Sequence, residues 1–155
     1  MIVAGTGHRP DKLGGYGDDV YQKLISLATD WLSDNLPTKV ISGMAIGWDQ
    51  ALAQAAIDLQ IPLVAAIPFK GQEDLWPEKS RIRYKEIMTK TSTVKTVCSG
   101  AYAGWKMQTR NEWMVDQCDM VLALWDGTSG GTGNCVRYAK KTNKPLINLW
   151  EQWSK

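Results

Sequence analysis

Residues 2–5, 39–42, 62–67, 93–97, 119–125 and 145–149 form short apolar or β-branched runs, and the segments between them carry apolar residues at helical spacing. The first such segment, about 17–35, places Val20, Leu24, Leu27, Ala28, Trp31 and Leu32 on one face. The second, about 49–60, is rich in alanine and opens on Asp49, an acid at the helix end that favours negative charge. The third, about 78–90, is strongly charged, with a narrow apolar face of Ile82, Tyr84, Ile87 and Met88. Two more are expected over about 107–117 and 133–142. Strands alternating with helices predict an α/β fold, a doubly wound, mainly parallel sheet with helices on both faces, in a single domain spanning 1–155.

Three of the strand ends carry glycine-bearing polar turns: residues 1–10 (MIVAGTGHRP), 40–49 (VISGMAIGWD) and 126–134 (DGTSGGTGN). Strand, glycine-rich turn and helix in that order outline a phosphate cradle. Glycines let the backbone approach an anion, and the first amides of the following helix point at it with the positive end of the helix dipole behind them. In open parallel sheets ligands bind outside the carboxyl ends of the strands, where all three turns fall, so one binding crevice is expected. Its candidate ligand contacts are Gly5, Thr6, His8 and Arg9 from the first turn, and Gly43, Gly47, Trp48 and Asp49 from the second. Asp126, Ser129, Gly130, Gly131, Thr132 and Gly133 come from the third. His8, the only histidine, can contact ligand, transfer a proton or hold its own turn. Arg9 can bridge a phosphate or form a surface ion pair. Asp49 can meet ribose hydroxyls, supply a catalytic carboxylate or simply cap a helix.

The formal net charge of +2, with acids and bases interspersed, argues against a dedicated nucleic-acid surface. Cys98, Cys118 and Cys135 have neither zinc-site spacing nor the pattern of a secreted disulfide scaffold, so they read as reduced thiols of a cytoplasmic protein. No signal peptide or bilayer-length apolar run is expected, and neither a metal nor a cofactor is called for. Eight tryptophans are many for 155 residues. Trp31 and Trp125 have core spacing, whereas Trp48, Trp76 and Trp105 fall near strand ends, where an indole can stack on a base or pack in a core or interface. Trp48 leads the stacking candidates. Trp150 and Trp153, in a polar tail, suggest a homo-oligomer.

Residues 6–17 (TGHRPDKLGGYG), 42–56 (SGMAIGWDQALAQAA), 68–76 (PFKGQEDLW), 110–127 (RNEWMVDQCDMVLALWDG) and 129–145 (SGGTGNCVRYAKKTNKP) together resemble the YpsA-like branch of the SLOG superfamily. That superfamily groups Rossmann-like proteins related to the DNA-processing protein DprA and the LOG phosphoribohydrolases. The resemblance implies a Rossmann-like fold and a nucleotide or nucleotide-derived ligand. LOG enzymes resemble M-x-x-R-K followed by P-G-G-x-G-T-x-x-E, whose arginine and final glutamate act in N-glycosidic cleavage of a nucleoside 5′-monophosphate. This chain keeps Met107 and Arg110, has Asn111 for the lysine and Asn134 for the threonine, and carries Arg137 where the glutamate stands.

Two classes of function follow. In the first, the crevice captures a nucleotide-derived molecule as a sensor or sequestering site, with loop amides and Arg110 at the phosphate, Asp49 at the ribose and an aromatic at the base, and with Asn111 as a further candidate ligand contact. In the second, the same contacts support an N-glycosidase in which another acid replaces the lost glutamate, since an oxocarbenium-like centre calls for a carboxylate. The candidate catalytic residues are then Asp49, Arg110 and Glu112, with Asp126 as a further acid. Binding is the reading the missing glutamate favours, and a DNA partner is disfavoured by the absence of a basic stripe with interleaved aromatics.

Overall fold

The computed structural model describes residues 1–155. Six strands, β1 (Ile2–Gly7), β2 (Lys39–Ser42), β3 (Leu63–Ile67), β4 (Thr93–Thr96), β5 (Met120–Leu124) and β6 (Leu146–Asn148), form one sheet in the order β4-β3-β2-β1-β5-β6. Every pairing is parallel. Helices α1 (Asp18–Asn35), α2 (Trp48–Asp58), α3 (Glu78–Thr89), α4 (Trp105–Gln117) and α5 (Gly131–Lys141) alternate with the strands, and a short α6 (Trp150–Trp153) follows β6. The doubly wound, Rossmann-like expectation is met. α6 and a 3-10 turn at Pro10–Lys12 are elements the hydrophobic pattern did not announce.

The pleat explains the two layers. Successive side chains of a strand point to opposite faces, so Val3, Leu63, Ala65, Leu122 and Leu124 join α1 and α2 in the larger core, while Ala4, Val64, Ala66 and Val121 meet Met114 and Val115 of α4 and Cys135 and Ala139 of α5 in the smaller one. Burial on both faces accounts for the near-continuous apolar strand sequences. The two edge strands are the exceptions: all four residues of β4 are exposed, and so are Ile147 and Asn148 of β6.

The chain runs from β1 to β2 in one direction across the sheet, while β5 lies on the other side of β1. This is the topological switch point, where a crevice opens beyond the carboxyl ends of the strands. Trp150 and Trp153 do not form a free apolar tail: both are partly buried against the larger core, and Lys23 Nζ lies 5.1 Å from the Trp153 ring centre. The ground for expecting self-association from that pair therefore falls. No helix is long and apolar enough to cross a membrane, and the three cysteines are unpaired.

Candidate functional site

At the switch point lies a cleft of about 280 Å³, walled by the end of β1 and its following turn (Thr6 to Arg9, with Asp11 and Lys12), the β2–α2 loop (Ala45, Asp49), α4 (Met107, Arg110, Asn111) and the β5–α5 loop (Ser129 to Thr132). The predicted Thr6, His8, Arg9, Asp49, Arg110, Asn111, Ser129, Gly130, Gly131 and Thr132 thus share one cavity. Gly7, Asp11, Lys12, Ala45 and Met107 join them without having been singled out as ligand contacts.

The β5–α5 wall is the anion-receptive side. Gly130 adopts φ 142°, ψ −165°, outside the range of residues with a side chain, and hands the chain to α5 with no side-chain cap. The Asn134 amide donates to Gly130 O at 2.9 Å, while the amides of Gly131, Thr132 and Gly133 have no partner within the chain. Three unpaired N–H groups at a helix start carry the positive end of the dipole. A Cβ built on Gly127, Gly130 or Gly131 would meet nothing within 4 Å, so the loop faces open space. Lys12 Nζ donates to Thr128 Oγ1 at 2.5 Å and links the turn after β1 to this loop.

The opposite wall is sealed. Every residue of 40–56 except Gln54 is buried, including the whole β2–α2 loop. Some of its polar groups pair locally: Ser42 Oγ donates to Asp49 O at 2.7 Å and accepts from the Met44 amide at 3.1 Å. Arg110, 5% exposed, reaches beneath this loop, where Nη1 donates to Gly43 O at 2.7 Å and Ala66 O at 3.2 Å and Nε donates to Asn111 Oδ1 at 3.0 Å. Burial pulls its basicity down, partly offset by Asp49. Asp49 is 8% exposed; Oδ2 accepts a long 3.4 Å bond from the Ala45 amide and Oδ1 has no partner. Burial pushes its carboxyl from 3.8 up to about 6, against the opposing pull of Arg110, the Ala45 amide and Arg9.

His8, 6% exposed, sits between the walls. Its Nε2 lies 2.7 Å from Asp126 Oδ1, the same oxygen that accepts the Thr128 hydroxyl at 2.5 Å and the Thr128 amide at 3.0 Å. The Thr128 hydroxyl, together with the Thr128 amide and His8, holds the Asp126 carboxyl well below the usual range despite some desolvation.

Several expected contacts lie elsewhere. Trp48 is fully buried in the larger core, where it fills the space under β1, so it cannot stack on a base. A Cβ at Gly7 would collide with its ring, and one at Gly5 with Leu52 Cδ2. Gly5 is thus a close-packing glycine and not a wall of the cleft. Gly43 acts through its carbonyl, which accepts from Arg110, and a Cβ there would come within 2.6 Å of the guanidinium. Gly47 lies against the backbone of His8, with φ 100° and a Cβ position 2.6 Å from His8 O. Gly133 tucks under Thr128 O, 2.9 Å from its Cβ position. Glu112 accepts from Gln108 along α4 and does not line the cleft, and Asp126 is committed to His8 and Thr128. Trp76 packs edge-on against Tyr84, while Trp105 is exposed but is not part of the cleft wall. No group of three His, Cys, Asp or Glu side chains is placed to hold a metal.

A parallel sheet of this order with an uncapped glycine turn at its switch point defines a Rossmann-like protein with an anion-receptive cleft. The chain belongs to the YspA SLOG family, whose YpsA model matches residues 3–146. It is 30% identical over 136 residues to the uncharacterized SPbeta prophage-derived protein YoqJ of Bacillus subtilis, covering 77% of this chain and 80% of that protein. It is also 30% identical over 147 residues to UPF0398 protein BH1768 of Halalkalibacterium halodurans, covering 84% of this chain and 75% of the relative. Among solved structures, DNA processing protein A from Helicobacter pylori, described for its single-stranded DNA binding mode, superposes with a TM-score of 0.67 at 21% identity over 96% of this chain. This chain spans only 64% of that one. The molybdenum cofactor binding protein from Rippkaea orientalis superposes with a TM-score of 0.61 at 17% identity, over 95% of this chain and 74% of that one. At these identities the likeness is one of fold.

Proposed function

We propose that the cleft binds the phosphate end of a nucleotide or nucleotide-derived small molecule, in a sensing or sequestering role. The observation that carries this reading is the pair of unpaired amides on Gly131 and Thr132, residues that line a cavity also receiving Arg9 and Lys12. Asp49 lines the same cavity, and its carboxylate is on the side where the attached sugar would lie. The resemblance to nucleotide-handling SLOG proteins supports the same ligand class.

Calorimetry with nucleotides and their matching nucleosides tests it. Charge-assisted bonds to phosphate contribute about 1.5–3 kcal/mol, or roughly ten- to a hundredfold in affinity, so nucleosides should bind more weakly by that factor. Gly131→Glu is the informative variant. Its Cβ has open space and its φ is ordinary, so folding should be retained while the new carboxylate occupies the anion position. Equal affinity for nucleotide and nucleoside, or unaltered nucleotide binding by Gly131→Glu, would reject the reading. Single-stranded DNA belongs in the same titrations as an alternative ligand.

The N-glycosidase reading keeps one observation in its favour: Asp49 is a buried carboxylate with a raised pKa in the cleft wall, the kind of group acid–base work needs. Release of free base from a bound nucleoside monophosphate, abolished in Asp49→Asn, would establish it. No release from a nucleotide that binds leaves the sensing role.

A further inference from the structure

The imidazole of His8 is held from three sides. Asp126 Oδ1 lies 2.7 Å from Nε2, the Trp150 ring packs edge-on at 5.9 Å with an interplanar angle of 88°, and the His8 amide donates to Leu124 O at 3.1 Å. Asp126 is itself fixed by the amide and hydroxyl of Thr128. Nε2 also lies 3.0 Å from the Asp126 amide nitrogen, an N–H that only an unprotonated Nε2 can accept. The two contacts demand opposite tautomers. A lone pair facing an ionised carboxylate oxygen at 2.7 Å is repulsive, and a charge-assisted bond is roughly twice as strong as a neutral one, so the proton sits on Nε2 and is donated to Asp126.

That choice determines the other nitrogen. In the neutral ring Nδ1 is then a bare acceptor. It makes no hydrogen bond within the chain, and it is not among the buried polar atoms left without a partner, which include Asp49 Oδ1 and Trp48 Nε1. His8 lines the cleft with Thr6, Arg9 and Asp49.

We propose that Asp126 and His8 form an orienter–base pair in which the carboxylate fixes the ring as the Nε2–H tautomer and presents Nδ1 to accept a hydrogen bond from a hydroxyl or N–H of the phosphorylated ligand. The proposal rests on the phosphate-cleft reading for its ligand and extends it: the ligand carries a proton donor beside its anion, and Asp126 is a positioning residue that acts through His8. The surrounding groups supply complementary contacts: the α5 amides, Arg9 and Lys12 are donors, whereas Nδ1 is the acceptor. A bare anion engages the first set alone.

Because His8 is the only histidine, nitrogen-15 spectra of the imidazole report it without assignment ambiguity. At a pH about two units above the ordinary histidine value of about 6.5, the ligand-free protein should show Nε2 protonated and Nδ1 bare. Asp126→Asn should move the proton toward Nδ1, because Nε2 is then free to accept the backbone amide at 3.0 Å. Titrations with adenosine 5′-monophosphate and with sulfate, an anion with no proton to donate, complete the test. Asp126→Asn should weaken the nucleotide by about three- to tenfold while leaving sulfate within about twofold, since only the nucleotide uses Nδ1 as an acceptor. A wild-type ring protonated on Nδ1 overturns the proposal, and so does an equal loss for both ligands, which would mark Asp126 as a loop brace only. Failure of the wild type to bind either probe falls on the phosphate reading, whereas the tautomer is decided without any ligand.

Discussion

Replacing Asp49 with asparagine should make the protein more stable at neutral pH, and by an amount that depends on pH. Burial raises the carboxyl from 3.8 to about 6. A rise of about two units means that ionised Asp49 disfavours the folded state by roughly 3 kcal/mol once both states have lost the proton. The sign follows from proton counts. Between about pH 4 and pH 6 the folded protein retains a proton that the unfolded chain has released, so stability from this group falls as pH rises through the window and is level above it. Asparagine has no charge to bury and keeps an oxygen for the Ala45 amide, but one amide position can fall where Oδ1 has no partner, which costs about 1–3 kcal/mol if it stays unmatched. The net gain expected at about pH 7.5 is therefore on the order of 0–2 kcal/mol, or up to about 8 °C in Tm for a chain of this size. Urea melts of both proteins from about pH 4 to pH 8 supply the comparison, because groups elsewhere titrate alike in the two and cancel in the difference. The difference should start at the acid end with the variant the less stable by its unmatched amide, and should shift by roughly 3 kcal/mol in its favour toward neutrality. A pH-independent difference, or a variant that is less stable only at neutral pH, would refute the argument that burial dominates at Asp49.

Arg110→Ala should unfold or severely weaken the protein, by about 3–5 kcal/mol, since it removes the guanidinium that donates to Gly43 O and Ala66 O, leaving Gly43 O only the 3.2 Å bond from Gln72 Nε2, and leaves Asp49 without its main countercharge; a stable variant in thermal melts that merely binds ligand less well would contradict that bracing role. Gly7→Ala should cost about 1–3 kcal/mol because its Cβ would meet the Trp48 ring, and a melt unchanged from wild type would show that the indole can move aside. Trp150→Ala with Trp153→Ala should lower Tm while leaving the mass measured by light scattering unchanged, because both rings pack on their own chain; a shift to smaller assemblies would restore the interface reading.

Periodicity located six strands and five helices because in this fold the same apolar residues define both the elements and the cores. The edge strand β4 was equally legible although its side chains are exposed, since Thr93, Val94 and Thr96 keep β-branched character. The second glycine turn was harder. Residues 42–50 read as a polar binding turn, yet every one is buried, and the Met-Ala-Ile triplet between Gly43 and Gly47 was the available sign that this loop faces inward. Trp48 was misplaced for the same reason. An indole at a helix start can face either way, and the spacing of a helix start does not reveal that Gly5 and Gly7 of β1 leave room for it. Asp126 looked like another free acid because its partner His8 is 118 residues away, and pairing across β1 and β5 depends on strand order.

The distribution of burial around the cleft gives the proposed ligand a direction. The wall made by the β2–α2 loop, the start of α2 and Arg110 is sealed: Arg110 Nε and Nη1 are engaged with Asn111, Gly43 O and Ala66 O, and the acceptors Asp49 Oδ1 and Gln50 Oε1 are buried without a partner. An anion placed there meets a carboxylate with no compensating free amide. The β5–α5 wall offers the reverse, unpaired donors on an exposed loop with space in front of Gly130 and Gly131. A dianionic phosphate therefore belongs at α5, and the hydroxyl-bearing part of the molecule belongs toward Asp49 and His8. The same asymmetry gives the buried carboxylate a part in the proposed complex: Asp49 Oδ1, itself enclosed, disfavours a phosphate at the sealed wall and so leaves the α5 end as the place for it.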